Sequence, residues 1–297
     1  MKLSLTDPRE CSRPISEWSI RELTDEIHLR EIADISPRQV GRFLSETDIK
    51  PHKVDSWMNP KIDDPLEHNM QITELNQSYW DAPKLKDKGV HTISIDEKTG
   101  IQALERISED KPMIPGYPRK IEYEYRRHGT LCLIPGFDVA TGKIIDYFIG
   151  QTRTEEDFAD IINKIISHDP DSGWIFIADQ LNTHKSEALV KLVAKHIGCK
   201  ESLGIKGKSG ILKNKKTREQ FLTNKTHRIR FIFTPKHCSW LNQVECWFSI
   251  LTRKLLKRSS FTSKSALRKE MQDFIEYFNK TMAKPYQWTF KGKVLAT

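Results

Sequence analysis

The chain has 297 residues and a formal net charge of +8, with hydrophobic residues at 37% and charged residues at 30%. That balance suits a soluble globular chain, and no uninterrupted apolar run is long enough to cross a bilayer, so no membrane association is expected. The cysteines Cys11, Cys132, Cys199, Cys238 and Cys246 are scattered without a Cys-x-x-Cys pair, which argues against a cysteine zinc site or dithiol motif and for reduced thiols. The opening Met1-Lys2-Leu3-Ser4-Leu5 lacks an apolar signal core, so a cytoplasmic location is expected.

Charge is unevenly placed. Residues 1–65 hold 10 Lys and Arg against 13 Asp and Glu, whereas residues 190–258 hold 17 against 3. The basic surface therefore belongs to the second half, as a polyanionic partner requires.

In chain order, Ser16 is placed to cap a helix through Glu17 to Ile27, and Ser36-Pro37 to open a second through Leu44. Two short helices with a tight connection read as a helix-turn-helix, with Arg38, Gln39 and Arg42 on the helix that would face DNA. A polar connector and a helix from Asp64 to Tyr79, carrying Leu66, Met70 and Leu75, follow. From Lys86 the pattern alternates. Val90 to Ile95 reads as a strand ending at Asp96; Leu131 to Val139 and Lys143 to Ile149 read as a hairpin turning at Ala140-Thr141-Gly142. Thr154 and the acids 155–157 start a helix to about Ser167, and Trp174 to Ala178 forms a strand ending at Asp179. Lys185 to Ile197 is an amphipathic helix, Ile229 to Thr234 a strand, and Leu241, Val244, Trp247, Phe248, Leu251 and Leu255 recur at helical spacing around Glu245. This order predicts an α/β fold with one antiparallel hairpin, in which adjacent central strands bring Asp96 and Asp179 together.

Two acids at strand exits and one bordering an apolar helical stripe are costly to bury unless cations compensate them, which suggests one shared metal site. Glu97 adjoins Asp96 and is an alternative ligand on the opposite face of the strand. Asn182, His184, His237 and Asn242 flank the acids as candidates to orient them or to contact phosphate. The basic stretch from Lys200 to Arg230, weakly periodic and rich in Lys, Gly, Ser and Thr, reads as a flexible segment suited to a polyanionic substrate, with Lys206, Lys208, Lys213, Lys215, Lys216 and Arg218 as candidate DNA contacts. The aromatic tail from Phe274 to Phe290 reads as core packing in preference to base stacking.

The blocks Ile95-Asp96-Glu97-Lys98-Thr99-Gly100, Arg127-His128-Gly129-Thr130, Ala178-Asp179-Gln180-Leu181-Asn182-Thr183-His184, Thr234 to Glu245, and Tyr277-Phe278-Asn279-Lys280 through Trp288-Thr289 resemble bacterial insertion-sequence transposases of the mariner superfamily, the "IS six-thirty" branch. The resemblance implies an RNase H-like catalytic domain, a mixed sheet flanked by helices, at 86–297, preceded by a small helix-turn-helix domain at 1–58 and a helical linker at 59–85. It also implies that Asp96, Asp179 and Glu245 hold two magnesium ions, with manganese as a substitute, and that the protein cuts at element ends and joins 3′-hydroxyls to target DNA. The expected partners are double-stranded DNA, as terminal repeats and target, and a second copy of the chain, in a bacterial, nucleoid-associated setting. The 65 residues between Asp179 and Glu245 exceed the spacing the resemblance implies, as an insertion near 199–228 that loops outward would explain, and the short N-terminal module fits a truncated copy. The competing readings are an RNase H-like nuclease without strand transfer and an inactive, repurposed DNA-binding protein.

Overall fold

A computed structural model describes residues 2–53 and 64–290 and divides into two compact units, Met1–Lys61 and Ile62–Thr297. In the first, short 3-10 turns precede helices α1 (Ile20–Leu29) and α2 (Pro37–Glu46). Helix α2 begins where Ser36-Pro37 predicts: Ser36 accepts from the Gln39 amide while the Gln39 side chain accepts from Ser36, a capping box. The first helix does not begin at Ser16. Ser19 caps it, with Glu22 completing the box, because Trp18 is buried and its indole donates to the Thr6 carbonyl at 2.8 Å. The expected boundary at 58 lies outside the described residues.

The second unit opens with α3 (Pro65–Lys86). The sequence reading placed a linker here and ended the helix at Tyr79; instead α3 runs a further seven residues and packs on the sheet. It buries Ile72, Leu75, Asn76, Tyr79 and Ala82, while Leu66 and Met70 are exposed, so of the three apolar anchors named from sequence only Leu75 is internal. The strands are β1 (Val90–Ile95), β2 (Lys98–Arg106), β3 (Tyr125–Asp138), β4 (Ile144–Gly150), β5 (Gly173–Ala178) and β6 (Ile229–Phe233). Strand β2 was not anticipated. It and β1 pair with the same side of β3, Ile95 opposite Gly136 and Lys98 opposite Leu133, so they form one line interrupted by Asp96-Glu97, and the register of β2 shifts further along, between Lys98 and Ile101 and again between Gln102 and Leu104.

On the other side β3 pairs with β4, β1 runs parallel to β5, and β5 runs parallel to β6. The hairpin turn closes as expected, since Gly142 has φ +72 and a Cβ there would meet the Lys284 carbonyl oxygen at 1.9 Å. Helices α4 (Glu155–Ser167), α5 (Glu187–His196) and α6 (Lys215–Leu222) cover one face; α3, α7 (Val244–Leu251) and α8 (Lys264–Thr281) cover the other. Side chains alternate between faces: Ile93 and Ile95 meet the α4 side, whereas Ser94 meets α7.

The basic stretch does not simply loop outward. It contains α6 and buries Leu212, Phe221 and Leu222 in the core beside α5. The aromatic tail packs as read, with Tyr286 stacked on Phe137 and Trp288 against Tyr79, although Tyr277 is exposed.

Candidate active site

Strand register places the first two acids. Ser94 lies opposite Ile177 in the parallel pair, so two residues further along both chains Asp96 and Asp179 leave the sheet side by side. This is the carboxyl end of parallel strands, where an open α/β sheet leaves its crevice. By alternation Asp96 follows Ser94, and Asp179 follows Ile175 and Ile177, onto the α7 face.

The third acid reaches them through one asparagine. Ser94 donates to the buried Asn242 side chain, whose amide donates to the Ile95 carbonyl at 3.0 Å and to Asp96 at 3.3 Å. The Ser94 hydroxyl also accepts from the Val244 amide at 2.8 Å, fixing the start of α7, and Tyr79 donates to the Leu241 carbonyl at 2.8 Å from below. Glu245 lies in the first turn of that pinned helix and is exposed, and its carboxyl senses the charges of Asp179 and Lys98.

The electrostatics record this convergence. Burial, then the charge of Asp179, pushes the Asp96 carboxyl up to about 7. Burial raises Glu245 as well, with Asp179 adding to the rise and Lys98 opposing it. Two acids that each sense Asp179 carry uncompensated negative charge on one face.

On the opposite face sits a buried relay. His184 is wholly enclosed against Phe158, with Nδ1 2.7 Å from Asp179 and Nε2 3.0 Å from Glu97. Burial alone would lower the imidazole, but its two carboxylate bonds raise it to about 9, so it is a cation between two anions. Burial would likewise raise Asp179 and Glu97, and the His184 bonds overcome this and hold both below the usual range. Asp96, Glu97 and His184 offer ligand atoms within 4.8 Å of one another. The Glu97 side chain is 2% exposed and engaged by His184 and Thr183, whereas Asp96, also buried, accepts from the Asn242 side chain and the Glu97 amide.

The remaining sequence candidates separate. Asn182 accepts from Lys215 at 2.9 Å, which brings that lysine to the Asp179 turn. His237 is exposed at φ +63 and has no described contact with the acids. Lys208, Lys213 and Lys216 are exposed, whereas Lys206 meets Glu155 and Glu187, and Arg218 donates to the Lys185 and Leu212 carbonyls. The sequence reading held these cations to be barely offset by acids; Lys206 is offset by acids distant in sequence, and Arg218 acts as an internal clamp. In the first unit Arg38 is exposed, Arg42 lies 3.6 Å from Glu46, and the Gln39 side chain is engaged in its cap.

Sequence reasoning missed Ser94 and Lys185. Ser94 shares the parity of Asp96, a signal that was available. Lys185 is fully buried, bonded to Gln180, 2.6 Å from Glu219 and over the Phe233 ring, an arrangement that depends on the unforeseen α6.

Carboxylates gathered at the ends of adjacent parallel strands, in a mixed sheet covered on both faces, form an oxygen-rich crevice of the kind that divalent cations occupy. The DDE superfamily endonuclease model matches residues 91–268, and the chain belongs to that family. Among solved structures, the Mos1 transposase paired-end complex with left transposon end is similar over 89% of this chain and 73% of that one, at 15% identity and a TM-score of 0.49. The Mos1 mariner paired end complex with Mn gives the same values, and the catalytic domain of Mos1 mariner transposase is similar over 75% of this chain and 90% of that one, at 11% identity and 0.39. No curated protein matches the sequence. Among the described residues, no helix is long and apolar enough to cross a membrane.

Proposed function

We propose that the protein is a DNA transposase of the bacterial "IS six-thirty" branch, which cuts DNA at its element's ends and transfers the freed 3′-hydroxyls to target DNA. The observation that supports this is Asp96 and Asp179 on adjacent strand ends, with the helix that carries Glu245 bonded to Ser94 through the Val244 amide and Glu245 sensing the Asp179 charge. The donors fit hard divalent cations, being all carboxylate oxygen, and the raised Asp96 carboxyl marks charge that such a cation would relieve. When bound, two magnesium or manganese ions would activate the attacking hydroxyl and neutralise charge on the leaving oxygen.

The chain's own residues do the rest. Asp96, Asp179 and Glu245 hold the ions, Asn242 fixes Asp96, and the Glu97–His184 pair orients Asp179 by holding one of its oxygens. Lys215 and Asn182, at the rim, sit where a phosphate of the bound strand would pass. The unit at 1–61 supplies recognition of the terminal repeats through Arg38 and Arg42 on a helix-turn-helix, and a homodimer on DNA presents two ends.

Supercoiled plasmid bearing candidate end sequences, incubated with magnesium and the full chain, tests this. Nicked and joined products are expected. Nicks without joining would favour the nuclease reading, and binding with no cleavage in either metal would favour the repurposed DNA binder.

A further inference from the structure

A cavity of about 1370 Å³ lies at the far end of β2, away from the acids, and its walls include Arg106, Arg119, Arg253, Lys254, Lys257 and Arg258 against Glu109, Asp110 and Glu270. Arg119 is paired with Asp110, and Arg106 is bound to the Glu122 carbonyl. Among the described residues, Lys254, Lys257 and Arg258 are exposed and have no ion-pair partner. Cations that repel one another and remain uncompensated are retained at a cost, which a polyanion would remove.

The wall is built, not draped. Helix α7 passes directly into a π-turn at Thr252–Leu256, closed by Lys257 donating to the Thr252 carbonyl at 2.9 Å. Such widened turns recur at functional sites, and this one carries cations at 253 and 254 and again one turn later at 257 and 258. The segment beyond is riveted to β2: the Phe261 amide donates to the Leu104 carbonyl at 2.7 Å, and the Arg106 amide to the Ser260 hydroxyl at 2.9 Å. The basic side chains therefore stand on a fixed floor.

Position relative to the acids gives the groove its meaning. Arg253 and Lys254 lie on the same helical run as Glu245, and Lys257 and Arg258 follow directly in the turn that ends it, so 8 to 13 residues at up to ~1.5 Å each put the cations roughly 12 to 20 Å from Glu245. Along B-DNA, at about 3.4 Å per base pair, that is on the order of four to six base pairs.

We propose that this groove holds the phosphate backbone of duplex DNA about half a helical turn from the cleavage site; which DNA it holds, end or target, rests on the transposase reading. The occupant is a duplex because Arg253, Lys254, Lys257 and Arg258 are point charges spaced along one wall, each able to meet a backbone phosphate, whereas the apolar part of the lining, Ile107, Ile250 and Met282, carries no aromatic ring on which a splayed base could stack.

The test uses the full chain on a random duplex of about 30 base pairs in chelator, where the slope of log affinity against log salt counts phosphate contacts. K254Q/K257Q/R258Q is expected to flatten that slope by about 0.9 per contact, roughly 2 to 3 in all. The matched variant K88Q/K164Q/K195Q, at exposed and unpaired lysines, is expected to leave it unchanged. Equal effects from the two variants would overturn the proposal, since total charge would then explain the loss. So would a larger loss on anionic phospholipid vesicles or duplex RNA than on DNA. Should the triple variant melt early, K257Q alone carries about a third of the effect. Magnesium-dependent plasmid nicking by the wild type is read in parallel: nicking with equal slopes removes only the groove, whereas a flattened slope without nicking keeps the groove and removes the transposase.

Discussion

In the unit at 1–61, the buried hydrophobic residues among those described are Trp18, Leu23 and Val40, whereas the unit at 62–297 covers its sheet with apolar side chains on both faces. Three side chains supply on the order of 5 to 9 kcal/mol of burial before chain entropy is counted. The small unit therefore leans on polar devices: two capping boxes, and Glu26 held by Arg13 and Arg30 at 2.7 Å each. The large unit can do the opposite. Its surplus of apolar packing tolerates four acids and two buried cations, His184 and Lys185, at one end of the sheet. Buried charge is concentrated where apolar packing is most abundant.

The strongest way to test that contrast is to remove charge from the large unit without disturbing its core. Asp96→Asn and Asp179→Asn should each leave the fold cooperative while lowering metal-dependent nicking by roughly a thousandfold or more, the several kcal/mol that charge stabilisation by bound metal is worth. Nicking within tenfold of wild type, measured in both magnesium and manganese, would show that the acids are structural. In the small unit a single truncation should do the reverse. Trp18→Ala is expected to cost about 3 to 5 kcal/mol, enough to unfold residues 1–61 while leaving the main calorimetric transition of the large unit in place. A single transition shifted as a whole would mean that the two units share their stability.

The two acids should also separate in the metal-free protein. The Asp96 carboxyl is raised to about 7, so its unfavourable ionisation weakens the fold as pH rises toward and through 7; Asp179 is held low by His184, so its charge is favourable. Asp96→Asn should therefore raise the apo melting point above pH 7, relieving a penalty of up to about 4 kcal/mol, and Asp179→Asn should lower it. His184, raised to about 9, contributes stability that is fully present below about 6.5 and is lost as pH rises through 9. A wild-type apo melting point that stays flat from pH 6 to 10 would remove this account. The smallest effect is expected at the small unit's surface, where Arg38→Ala or Arg42→Ala should reduce preference for end DNA by about 1 to 3 kcal/mol per lost base contact, with little change on random DNA. Equal weakening on both DNAs would make these arginines phosphate contacts.

Legibility followed the same division. Strand exits, caps and periodic helices are local signals, so the strand ends at Asp96 and Asp179, the Ser36 cap and the 140–142 turn could be read directly, whereas the preference for Asp96 over Glu97 rested on the family resemblance. The placement of Glu245 needed only the apolar stripe. What sequence could not convey was pairing at long range: that Lys98 to Arg106 extends the line of β1 along β3, that Leu212 and Phe221 anchor the basic stretch, and that Glu97 belongs to His184. Each depends on a partner tens of residues away or more, and a polar stretch that is buried at only a few positions looks, in one dimension, like a loop. The misplaced Ser16 cap is a different error. Two serines three residues apart offered equivalent starts, and the decision was made by Trp18 turning inward to the Thr6 carbonyl.

The interruption of β1 and β2 at Asp96-Glu97 acts as an address. Both strands read their position from one ruler, β3, and at the gap two neighbouring carboxylates take different partners, Asp96 accepting from Asn242 and Glu97 meeting His184. A slip of one residue along that ruler would exchange their destinations while leaving sequence and composition untouched. Fidelity of strand alignment is thus itself a determinant of chemistry here, and a change at Gly136 or Leu133, which carry no reactive group, could silence the site as surely as the loss of an acid.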